Sequence, residues 1–164
     1  MSDADRDRDE IPLTIELVPS TAWWTNVRSN VSKKDWEKCK SFVRARSGDK
    51  CEVCGGRGPK WPVECHEIWD YSLREGIPTQ VLIGLIALCP DCHEVKHLGR
   101  AIRVGRGPKA VAHLAKVNQW TIEEAEWYAH TAFDHWEHLS EYHWTLDITY
   151  LGLLGIEAQP KAGI

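Results

Sequence analysis

Two pairs of cysteines constrain this chain more than any other feature: Cys51-Glu-Val-Cys54 and Cys89-Pro-Asp-Cys92. A Cys-x-x-Cys turn sets two thiolates on one side of a tight knuckle. Two such knuckles close a tetrahedron around Zn2+, with Zn–S distances of about 2.3 Å. One pair alone is also compatible with redox chemistry, which predicts no bound zinc. Two pairs with residues 55–88 between them predict a structural zinc held by Cys51, Cys54, Cys89 and Cys92. The first residues, Met-Ser-Asp-Ala-Asp-Arg-Asp-Arg-Asp-Glu, have nothing of a secretory signal. A cytoplasmic, reducing compartment is expected, and there paired cysteines hold metal more often than disulfides.

A chain of 164 residues has room for one domain with appendages and for a substantial core. No apolar run approaches the roughly 20 residues of a membrane span, so no membrane partner is expected. The predicted class is α+β, with a small zinc-stapled ββα core embedded between flanking helices. The expected divisions are a disordered acidic tail over 1–10, an N-terminal strand and helix over 11–47, and the stapled core over 48–100. C-terminal helices and a late strand over 101–155 pack on that core, and 156–164 form a loose tail.

Local patterns place the elements. Residues 11–18 alternate loosely and predict a short strand, and Trp23 and Trp24 follow as anchors in a loop. Ser32-Lys-Lys-Asp35 reads as an N-cap box for a helix that Gly48 ends. Residues 63–69 alternate as a strand, with Val63, Cys65, Glu67 and Trp69 on one face and Glu64, His66 and Ile68 on the other. Pro78 falls in a connection, and 81–88 form a second strand running into Cys89. Pro90 and Asp91 suit the first turn of a helix that carries Cys92, His93, Lys96 and His97 to about residue 98. Helices are expected over 109–117 and from the capping box Thr121-Ile-Glu-Glu124 to about 139, then a late strand over 144–150.

Charge is segregated along the chain. The net charge is −4, yet residues 28–116 hold seventeen Lys or Arg against ten Asp or Glu. Residues 117–164 hold one Lys against eight acids. A basic middle beside a metal site suggests a polyanion partner, and Lys96 beside the histidines would suit a phosphate. A solvated surface explains the same charges equally well.

His93 and His97 stand four apart on a predicted helix, so their imidazoles share a face and can serve one metal. They are also compatible with incidental polar residues on a zinc-capping helix. If the strand packs on that helix, His66 faces the pair. A metal on one side and a neutral imidazole on the other can activate water. His66 could equally be a hydrogen-bonded core residue or a further zinc ligand.

Glu64-Cys-His-Glu67, followed by Gly84-Leu-Ile-Ala-Leu-Cys-Pro-Asp-Cys-His-Glu-Val-Lys-His97, resembles the ββα-metal core of the HNH endonucleases, in their zinc-stapled variety. The resemblance covers about residues 47–98. It implies hydrolysis of DNA phosphodiesters, with His66 as general base and His93, with His97, holding a second, catalytic divalent metal (Mg2+, Mn2+, Ni2+ or Zn2+). The family often has Asp or His before the base. Here Cys65 stands there, a soft ligand suited to Zn2+, unless Glu64 or Glu67 substitutes for it. The middle-motif Asn is replaced by Gly84. DNA is the expected partner, taken up by the basic stretches at 28–60 and 96–116, and a protein partner is possible. The alternative is a non-catalytic zinc module that docks nucleic acid or protein through a degraded nuclease centre.

Overall fold

A computed structural model describes residues 11–157. The expected acidic tail over 1–10, and the tail from residue 158 onward, lie outside them. The fold is α+β, built around one long hairpin. Strand β1 (Glu64–Arg74) pairs antiparallel with β2 (Ile77–Leu88). The turn between them is two residues, Glu75 and Gly76, with φ of 51° and 79°. That is the type I′ geometry whose twist matches the strands it joins. The strands are therefore longer than the sequence pattern suggests. Pro78 belongs to β2, opposite Leu73, rather than to a connection; proline is tolerated so near a strand's start.

Alternation in β1 separates two cores. Val63 and Cys65 face one cluster, shared with Val27, Cys39, Val43, Leu85, Ala87, Ile148 and Leu151. His66 and Glu64 face the opposite side, where Leu88, Val95, Leu98, Ala110 and Leu114 form the other cluster. Helices α1 (Val27–Asn30) and α2 (Lys33–Ser47) precede the hairpin. The Ser32 hydroxyl accepts the Asp35 N–H, and Gly48 closes α2 at φ 62°. After the hairpin come α3 (Pro90–Lys96), α4 (Leu98–Arg103), α5 (Gly107–Asn118) and α6 (Ile122–Leu139). The predicted capping box Thr121/Glu124 heads α6. No helix among the described residues is long and apolar enough to cross a membrane.

Four further expectations need correction. Residues 11–18 run extended but join no sheet. Leu13 and Ile15 are buried as the alternation requires, but their N–H groups are donated to Asn118 Oδ1 and Tyr128 Oη rather than to a strand. Trp23 and Trp24 are not anchors, being 52% and 86% exposed. The late strand is only β3 (Thr145–Asp147), parallel to β2, because Asp147 Oδ1 accepts from Thr149 and turns the chain into a 3-10 helix over Thr149–Leu154. The tail does not loosen at 156, since Ile156 is buried in the second cluster.

The hairpin turn yields a stability test. A non-glycine residue at positive φ costs about 1 kcal/mol, and asparagine tolerates that region better than glutamate. Glu75→Asn is expected to stabilise the fold by roughly 0.5–1 kcal/mol, read as a higher urea midpoint with unchanged slope.

Two candidate metal centres

The first centre lies at the open end of the hairpin. Cys51 and Cys54 form a knuckle in which Gly55, at φ 73°, returns its N–H to the Cys51 carbonyl. Glu52 fastens this knuckle to the end of β2. It exchanges main-chain and side-chain bonds with Ala87 and pairs with Arg46. The second pair sits where β2 becomes α3. Cys89 is the helix N-cap, its sulfur accepting the Cys92 N–H, and Pro90 opens the first turn. Gly58 lets the intervening loop pass: a Cβ there would stand 2.3 Å from the Trp61 carbonyl and 2.7 Å from the Pro90 ring.

The four sulfurs lie within 4.8 Å of one another, with Cys54 and Cys89 3.6 Å apart. Tetrahedral bonds of about 2.3 Å require sulfur separations of about 3.8 Å, so the cluster suits a structural metal such as zinc. Four thiolates cannot crowd together unaided. The hydrogen bond between Cys51 and Cys92 lowers the Cys51 thiol and, with burial, pushes Cys92 far above the ordinary thiol range. His113, on α5, places Nε2 3.1 Å from the Cys92 sulfur. No sequence spacing pointed to it, because α5 reaches the cluster only through helix packing.

The second centre joins His66 on β1 to His93 on α3 and His97 just beyond it. Their donor atoms lie within 4.8 Å of one another. The ring centroids form a nearly equilateral triangle of 5.2, 5.2 and 4.9 Å. Two carboxylates orient the rings. Glu16 Oε2 lies 2.9 Å from His66 Nε2, and Glu64 Oε2 lies 2.5 Å from His93 Nδ1. Trp61 Nε1 donates to the other Glu64 oxygen. A ring N–H donated to a carboxylate leaves the opposite nitrogen as a lone pair. In His66 that nitrogen, Nδ1, is buried without a partner among the described residues. In His93 it is Nε2, 3.2 Å from His97 Nε2.

Burial favours the neutral form of His66 and His97. Burial lowers the pKa of His66, overriding the opposite pull of Glu16. Burial, then the two neighbouring histidines, lowers His97 to about 3. Burial alone would raise Glu16, but the His66 hydrogen bond and the Lys96 charge outweigh it and hold the carboxyl at about 2. The hydrogen bond from His93 keeps Glu64 low as well. Three imidazoles whose ring nitrogens gather this closely suit a cation.

Three site expectations change. Cys65 is not part of the histidine cluster. Strand alternation puts it on the other face of β1, and burial pushes its thiol up to about 12. Glu67 does not substitute for it, because its Oε1 accepts the Val27 N–H. Lys96 does not await a phosphate: it is buried, bonded to Thr14 Oγ1 at 2.7 Å and to Glu16 at 3.2 Å. Glu16 was itself invisible in the sequence, since only the fold brings residue 16 to residue 66.

Comparison with protein-family models, curated proteins and solved structures finds no match. The chemistry must therefore be read from these residues, and the first centre gives a direct check. Cys92→Ser is expected to remove one equivalent of bound zinc and to destabilise the fold by several kcal/mol, as loss of a structural site does. Cys65→Ala should keep the full metal content. Elemental analysis beside thermal melts reads both.

Proposed function

We propose that this chain is a metal-dependent endonuclease of the HNH type, hydrolysing DNA phosphodiester bonds beside its histidine cluster. The observation that carries the reading is the gathering of three imidazole nitrogens, from the hairpin and from the segment after it, within 4.8 Å of one another and next to a four-cysteine cluster. In this reading Cys51, Cys54, Cys89 and Cys92 hold structural zinc. His66, His93 and His97 together hold the catalytic ion. The donor set is entirely nitrogen, which favours Zn2+, Ni2+ or Co2+ over Mg2+. A divalent ion supplies Lewis acidity, drawing charge from a phosphoryl oxygen and easing deprotonation of water.

The chain's own residues do the rest. Glu16 and Glu64 fix the tautomers of His66 and His93, so that each ring presents a lone pair rather than a proton. His93 and His97 border a cavity, whereas His66 is only 4% exposed and lies behind them. The general base implied for His66 by the family resemblance is accordingly recast as a third ligand. A base must reach the water it deprotonates, and so buried a ring is better placed to hold an ion.

Metal content and cleavage together test these roles. Wild type should bind two metal equivalents and nick plasmid DNA with Zn2+, Co2+ or Ni2+. His66→Ala and His97→Ala should each lose the second equivalent, keep the first, and lose nicking by at least about 100-fold. Glu16→Gln should weaken the second equivalent by about 10–100-fold, the usual effect of removing a carboxylate behind a histidine ligand. If His66→Ala keeps both equivalents and loses only cleavage, His66 is the base.

A further inference from the structure

A cavity of about 620 Å3 opens beside His93 and His97. Its walls are unusually aromatic. Trp36 from α2, Trp69 from β1, and Phe133 and Trp136 from α6 all line it. The indole N–H of Trp136 is donated to the Val18 carbonyl. Those of Trp36 and Trp69 find no acceptor among the described residues. Three arginines share the lining: Arg28, Arg100 and Arg103. All three are exposed, and none of their guanidinium groups has a hydrogen bond or ion pair among the described residues. This contrasts with Lys38, Lys40, Arg44, Arg46, Arg106 and Lys109, each of which is paired with a nearby carboxylate.

An aromatic-lined cavity edged by unpaired guanidinium groups fits a ligand that is aromatic and anionic at once. Bases stack on indole rings whatever their sequence, and arginine forks match phosphate oxygens. A base within a duplex presents only its edge, since its faces are covered by its neighbours. We propose that this cavity seats one unstacked nucleobase, with the adjoining phosphate held by Arg28, Arg100 and Arg103 at the border of the histidine cluster. The inference rests on the nuclease reading and deepens it: the substrate is single-stranded nucleic acid, or the single-stranded part of a junction, rather than an intact duplex. A free nucleotide offers the same base and phosphate, so the test separates the two sources.

Fluorescence anisotropy of the full zinc-loaded chain decides it, with a labelled single-stranded DNA of about 12 nucleotides, the matching duplex at equal salt, and AMP as competitor. The single strand is expected to bind at least tenfold more tightly than the duplex. Trp36→Leu keeps apolar packing but removes the ring, and should weaken single-strand binding at least fivefold. Arg100→Glu with Arg103→Glu changes only exposed positions and should weaken it at least tenfold at an unchanged melting temperature. Competition by AMP at oligonucleotide-like affinity would support the base seat and identify a free nucleotide as its occupant. Equal affinity for duplex and single strand, or binding indifferent to both variants, would overturn the proposal. A gel assay of cleavage is read separately. Tight single-strand binding without cleavage under any metal leaves the seat and removes the nuclease reading, while cleavage of duplex without single-strand preference does the reverse.

Discussion

Cys89 is the residue on which the remaining geometry depends. It ends the hairpin, caps α3, and contributes a sulfur to the four-cysteine cluster. Each role restricts the others. The cap fixes the first turn of α3, the cluster fixes that turn against the knuckle at 51–54, and Glu52 fixes the knuckle to the end of β2. Successive residues on a helix are rotated by about 100°. An error of one residue in how α3 leaves the strand would therefore swing His93 away from His66. Val95 anchors the short helix in the helical core, so that packing and the staple together set its phase. That is how a metal site with no part in chemistry governs a second site that could have one.

The second site depends on charge being placed behind it. A buried histidine can offer a lone pair only if its other nitrogen is satisfied, and Glu16 and Glu64 do this for two of the three rings. Burying Glu16 would be costly alone. Lys96, itself buried, and Thr14 complete its hydrogen bonds, so the extended segment at 13–16 is held by the cluster it serves. Leu13 and Ile15 plug the helical core from the same segment. One stretch of chain thus carries both an apolar and an electrostatic role, at alternate positions.

What could be read from the sequence follows from this division. Local signals were sufficient where structure is local: the caps at Ser32 and Thr121, the stop at Gly48, the knuckle spacings, and the shared face of His93 and His97. Alternation in 63–69 also places His66 and Cys65 on opposite faces, which keeps Cys65 away from the histidines despite its chemistry as a ligand. The same alternation in 11–18 misled, because an extended segment can satisfy its backbone through Asn118 and Tyr128 as well as through a strand. Glu16, Lys96 and His113 were not legible as partners, since each meets its counterpart only after packing brings distant segments together. The Glu75-Gly76 turn was missed because its first residue is not the asparagine or aspartate that usually marks type I′.

The basic middle of the chain shows the same limit in another form. Counting charges over 28–116 suggested a broad phosphate-binding surface. In the fold, six of those bases pair with neighbouring acids and Lys96 is buried with Glu16, so seven of the seventeen are engaged in holding the structure. Surface pairs of this kind contribute little to stability, but they remove cations from the field a polyanion would meet. Three of the arginines that remain free line the aromatic cavity beside His93 and His97. Those three place positive charge beside His93 and His97. In the proposed reading, a diffuse patch would hold nucleic acid in many registers, whereas these guanidinium groups at one opening would favour the register that brings a phosphate to the histidines.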